Sequence, residues 1–137
     1  MRISKVSVPE AIRKSKRWGF WLAAIALIVS STTLPWSNYV GHPHWENVRW
    51  VPFYGTGVLD LIANTALFFP FGYFFPGALR SGSSVRRWAL PLLIAATIST
   101  AVELVQLYSH NRFPSTTDIC TNVIGAALGL SVHSRSS

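Results

Sequence analysis

The sequence predicts an all-α protein, a polytopic transmembrane bundle of four helices with its N- and C-termini both on the cytoplasmic side. Three observations carry that prediction. Half of the 137 residues are apolar and the mean hydropathy is +0.33, too greasy for an ordinary soluble domain of this size. Four separate apolar segments approach the roughly 20 residues that a helix needs to cross a bilayer. The cations flank those segments and form no stripe along a polar face, so the net charge of +7 reports membrane orientation and speaks against a nucleic-acid partner.

Residues 1–17 read as a basic cytoplasmic tail, holding Arg2, Lys5, Arg13, Lys14, Lys16 and Arg17. The transmembrane domain covers 18–133, with spans at about 18–34, 57–79, 88–108 and 117–133, and residues 134–137 form a second short cytoplasmic tail. The first span resembles a secretory signal in its basic start and apolar middle, but Ser30 to Thr33 makes a poor cleavage site and the segment is expected to stay. Arg80, Arg86 and Arg87 lie between the second and third spans; Arg49 and Arg112 are the lone cations of the other connections. The positive-inside rule therefore puts both termini in the cytoplasm. Under that topology Trp36, Tyr39, Trp45, Trp50, Tyr54 and Tyr108 gather at the outer interface, where aromatic residues favour the headgroup level. The connection 35–56 is long, rich in Trp and Pro, and without helical period. The single cysteine, Cys120, excludes an internal disulfide and reads as a packing residue.

Three of the five acids, Asp60, Glu103 and Asp118, fall inside the apolar segments, where an ionised residue costs about 2.5–3.5 kcal/mol at mid-helix. Each is followed three or four residues later by an amide, Asn64, Gln106 or Asn122, which places each pair on one helix face. The second and fourth spans begin outside and the third ends there, so all three pairs are expected at similar depth, directed towards one outward-facing pocket. Asp118 follows Ser115 by three, the spacing of a capping box, and Asp60 lies in a helix's first turn where the dipole favours an anion. Glu103 lies near a helix C-terminus, where the dipole repels it, and requires compensation. Arg112, just across the turn, is the expected partner. The amides also suit interhelical bridging.

Structural roles are expected for Pro70 and Gly72, which kink the second span, and for Gly125 and Gly129, a small-xxx-small face that serves helix packing first and a homo-oligomer second. Pro91 is expected in the first turn of the third span. His42 and His44, flanking a proline, read as exposed loop in preference to metal ligands.

Asp60, Asn64, the run Phe69 to Gly72, Glu103, Gln106, Arg112, Asp118, Asn122, Gly125 and Gly129 together resemble the signature of the VanZ-like family over about residues 51–130. The resemblance implies a small bacterial protein of the cytoplasmic membrane. The family's namesake is an antibiotic-resistance accessory that gives tolerance of the glycopeptide teicoplanin; the resemblance supplies no biochemical activity.

Three functions follow as expectations. The first is a cell-envelope protein whose pocket, built from Asp60, Asn64, Glu103, Gln106, Arg112, Asp118 and Asn122, recognises an amphiphile such as a lipid-linked cell-wall precursor or a lipoglycopeptide, in contact with membrane lipids. The second is a membrane-embedded hydrolase or transferase on lipid-linked headgroups or glycans, with Glu103 and Asp60 or Asp118 as acid and base. The third is a small proton-coupled exporter, weakened by the lack of ionisable residues in the inner half of the bundle. No cofactor or metal is expected; a divalent cation on the three carboxylates is chemically admissible, but nothing in the sequence demands one.

Overall fold

The computed structural model describes residues 10–35, 38–75 and 84–135, with side chains described from residue 16 and, after the second gap, from residue 85. Four helices carry the fold: α1 (Glu10–Thr33), α2 (Val58–Phe74), α3 (Ser84–Gln106) and α4 (Thr116–Arg135). A short 3-10 turn, Trp45–Asn47, interrupts the α1–α2 connection. Trp36, Arg80, most of the basic tail and the end of the second predicted span to residue 79 lie outside the described residues.

Each helix has a local reason to form. The hydroxyls of Ser30, Ser31, Thr32 and Thr33 fold back onto carbonyls one turn earlier in α1, so a polar run sits in a helix without unsatisfied groups. Gly57, in extended conformation, opens α2 and its carbonyl accepts the Asp60 N–H at 3.1 Å. α2 continues through Pro70 to Phe74. α3 starts four residues before the predicted third span, at Ser84, which corrects the position of Pro91: it lies beyond the first turn and is fully buried. α3 ends at Gln106, and Tyr108, expected in the span, belongs to the following turn.

Contacts fix the direction of every helix. Gln106 of α3 donates to the Thr32 carbonyl at 3.0 Å, joining the ends of α1 and α3. At the opposite end Arg17 of α1 bonds His133 of α4, and the Tyr73 ring of α2 meets the same histidine edge-on. α1 and α3 thus run one way, and α2 and α4 the other. Lys16, Arg17, Arg86, Arg87 and Arg135 collect at one end of the bundle, while Asp60, Glu103 and Asp118 collect at the other.

The tightest seam joins α2 and α4, which are parallel. A Cβ added to Gly125 would stand 2.1 Å from the Thr65 carbonyl oxygen, one on Gly129 2.1 Å from that of Phe69, and one on Gly72 1.9 Å from that of Ala126. Backbones approach this closely only where side chains vanish. Phe68, Phe71, Ile28 and Ala126 form the buried centre, with Trp21 of α1 packed on Phe71 and Phe75. Every helix nonetheless leaves large apolar side chains outside, among them Leu22, Leu59, Leu93 and Leu128.

By length and apolar composition, α3 over Val85–Gln106 is the helix fit to cross a membrane among the described residues, and α2 is apolar but shorter. α1 and α4 are long enough, but basic residues begin the first, hydroxyls end it, and polar residues are spread along the fourth.

Because the atoms a new methyl would meet are backbone, Gly125→Ala or Gly129→Ala is expected to destabilise the bundle by about 1–3 kcal/mol. Gly19→Ala, where a Cβ meets nothing within 4 Å, is expected to leave the transition unchanged or slightly raised. Thermal unfolding of the detergent-purified variants checks the contrast; equal midpoints would refute the seam.

Candidate functional site

The acidic end of the bundle is closed by two loops laced together through their backbones. In the α1–α2 connection, Val40 N–H donates to Tyr108 O and His44 N–H to Leu107 O, both at 2.7 Å, and His110 N–H returns to Asn38 O at 3.2 Å. Further along, Arg49 N–H donates to Pro114 O at 2.8 Å and Thr116 N–H to Arg49 O at 3.2 Å. Thr117, fully buried, accepts the Phe53 N–H at 2.7 Å. A 24-residue connection that would otherwise be loose is thereby seated on the start of α4.

Glu103 is the centre of this end. It is buried, and its Oε2 accepts the Ser115 N–H at 2.8 Å. Ser115 in turn caps α4, its Oγ accepting the Thr117 N–H at 3.1 Å. In a capping box the acid three residues after the cap takes the cap's own N–H. Here Glu103 of a different helix occupies that place, and Asp118 is released from it. The expected ion pair with Arg112 is corrected: no contact within 4 Å joins the two, and the Arg112 guanidinium donates to the Leu34 carbonyl at 3.0 Å. Its charge acts on Glu103 only at longer range. A backbone N–H at a helix start outcompetes the arginine because it is held in place by the fold and costs no side-chain ordering.

Asp118 is only partly buried, and the Asn64 side chain lies close enough to act on its carboxylate. Asp60 and Arg49 both lie within electrostatic reach of it. Asp60 is exposed, its Oδ2 folded back over Gly57 in the first turn of α2. Two parallel helices therefore begin side by side, each with an aspartate in its first turn, and Asn64 lies between them.

Six of the seven predicted residues separate into two sets. Asp60, Asn64 and Asp118 come together at the α2–α4 rim, within reach of solvent. Glu103, Gln106 and Asn122 are buried and tie helices: Gln106 to α1, and Asn122 to α3 through a 2.8 Å bond to Ser99 Oγ. The Asn122 Oδ1 has no partner among the described residues. Arg112 anchors the end of α1. Sequence reasoning passed over Ser99, although it lies one turn before Glu103 on the same face, the spacing used for the other pairs. It also passed over Arg49, whose guanidinium sits over the Phe113 ring at 5.3 Å.

Just below the rim, an open apolar groove of about 460 Å³ follows α2, lined by Leu61, Ile62, Thr65, Ala66 and Phe69. Above it, Arg49, Trp50, Val51, Tyr54 and Gly55 line a recess of about 380 Å³. Phe53 and Gly55 both adopt positive φ, 64° and 67°, which turns the loop sharply over α2.

The model of the VanZ/LLP1 family matches residues 18–135 of this chain. No curated protein matches it, and no solved structure does.

The Glu103 bond has a direct test. Glu103→Ala strands a buried N–H and is expected to destabilise the protein by about 1–3 kcal/mol, whereas Glu103→Gln keeps an acceptor and loses much less. Chemical unfolding followed by helical circular dichroism measures both; an alanine variant as stable as the parent would show that the bond holds nothing together.

Proposed function

Because the chain belongs to the VanZ/LLP1 family, we propose that it is a multi-pass protein of the bacterial cytoplasmic membrane whose outward end recognises the headgroup of a cell-envelope amphiphile. The membrane assignment rests on α3, on the large apolar side chains that all four helices expose, and on the collection of cations at one end. The basic end then faces the cytoplasm with both termini, and the acidic end faces out.

The observation that carries the recognition reading is the release of Asp118 by Glu103. A carboxylate not consumed in capping its own helix, with Asn64 and Asp60 beside it, presents acceptors at a rim that solvent reaches. Arg49 adds a cation at the same place. Such a set suits a ligand rich in amines and hydroxyls with an anionic group, as in a lipid-linked cell-wall precursor or a lipoglycopeptide of the teicoplanin kind. The groove along α2 starts one residue past Asp60 and suits the lipid tail. Capture of a lipid-tailed antibiotic at this rim would make the protein a resistance accessory. Catalysis is less well supported: Glu103, the best acid-base candidate of the sequence, is buried on a backbone N–H with a structural task.

Topology is checked by reporter fusions. Fusions after Arg135 and at residue 82 are expected to report cytoplasm, and an insertion near Trp45 the exterior; a C-terminus outside would overturn the orientation.

Recognition is checked by titrating nanodisc-embedded protein with a lipid-linked precursor and with teicoplanin. Loss of charge-assisted bonds in the Asp60→Asn, Asp118→Asn double variant is expected to weaken binding at least ~10-fold. Undiminished affinity would sink the proposal, and a change in ligand mass after incubation would replace recognition with catalysis.

A further inference from the structure

His42 and His44 flank Pro43 in one loop, and His110 lies far along the chain in the α3–α4 connection. The structure brings the three rings together. Centroid separations are 4.8 Å for His42 and His44, 4.7 Å for His44 and His110, and 6.3 Å for His42 and His110. The grouping is built by backbone, since His44 N–H is bonded to Leu107 O and His110 N–H to Asn38 O.

The tautomer of His44 follows from its partner. Its Nδ1 stands 2.9 Å from Glu46 Oε1. A carboxylate only accepts, so Nδ1 carries the hydrogen and, in the neutral ring, Nε2 carries the lone pair. The Nε2 atom is buried and has no partner among the described residues. A buried, unpartnered lone pair on a ring with two further imidazole centroids 4.8 and 4.7 Å from its own, held through its other nitrogen by a carboxylate, is the kind of arrangement that orients a histidine for a metal.

We propose that His42, His44 and His110 form a zinc(II) site, with Glu46 as the positioning residue for His44. Three imidazole nitrogens at about 2.0–2.1 Å from one ion place ring centres roughly 5 Å apart. Two of the three separations already meet that spacing. With the side chains as they stand, no three histidine, cysteine or acidic residues among those described form a metal-holding group; closing one here takes a turn of His42 and His110, both exposed and therefore cheap to rotate. An all-nitrogen set suits a borderline transition metal and disfavours calcium and magnesium, which take oxygen. A bound ion would clasp the α1–α2 loop to the α3–α4 turn.

The full chain, purified without a polyhistidine tag and stripped with chelator, is titrated with zinc against a chromophoric competitor. One zinc per chain is expected, with affinity falling at least ~100-fold in His44→Gln and about 10–100-fold in Glu46→Gln. Helical circular dichroism confirms that the variants fold, and the visible spectrum of the cobalt(II)-loaded parent reads a four-coordinate ion, three imidazoles and a water, without any variant. Substoichiometric zinc in the parent, equal binding by His44→Gln, or a six-coordinate cobalt spectrum overturns the proposal.

Discussion

The 2.8 Å bond from the Ser115 N–H to Glu103 is the interaction on which the polar end of this protein depends. An acid in the last turns of α3 faces the negative end of its own helix dipole, a position that disfavours it. The chain answers by turning back within a few residues and starting α4 against the same carboxylate, so that the positive end of one helix compensates the negative end of the other. One bond thus fixes the α3–α4 turn, satisfies the first donor of α4 and supplies a buried carboxylate with a partner. It also decides what remains available for function, because the cap that Asp118 would otherwise serve is taken.

The glycine seam sets where that availability is expressed. Gly72, Gly125 and Gly129 let α2 and α4 run parallel at backbone contact, which brings their starts level. Parallel neighbours in a four-helix chain require the intervening helix to return the full length of the bundle, and α3 is the longest apolar helix among the described residues. The side-by-side starts of α2 and α4 then place two first-turn aspartates within electrostatic reach of each other. Packing chosen for small residues has become the geometry of the rim.

Much of this was legible in the chain itself. Apolar length and flanking arginines predicted the four helices and their alternating direction; the acid-amide spacing predicted paired faces, whereas Asp118 stands at the rim and its amide Asn122 is buried against Ser99 of α3. The role of Ser115 as a cap was written in its distance from Asp118. What escaped is what has no side-chain signature. The partner of Glu103 is a backbone N–H, invisible to any search for charges, and Arg112 drew attention because arginine is the residue one looks for. Pro91 was assigned a first-turn position because the apolar run starts at Trp88, whereas the helix draws in the polar residues before it and starts at Ser84. The meeting of His110 with His42 and His44 depends on two loops pairing through their backbones, a long-range event with no local periodicity.

The polar residues of the bundle therefore divide by what their hydrogen bonds already do. Glu103, Gln106 and Asn122 are engaged across helices, and in a low-dielectric interior such bonds are costly to exchange for a ligand's. Asp60 and Asp118 are in the opposite condition. Each gains roughly 0.3–1 kcal/mol from its helix dipole, and each is opposed by the other's charge, with Arg49 and Asn64 as partial relief. Two like charges held close at a solvent-facing rim are relieved further by anything that brings donors or a cation between them. That repulsion is kept at the mouth of an apolar groove, which is why the proposed amphiphile, with a donor-rich headgroup, would satisfy both surfaces at once.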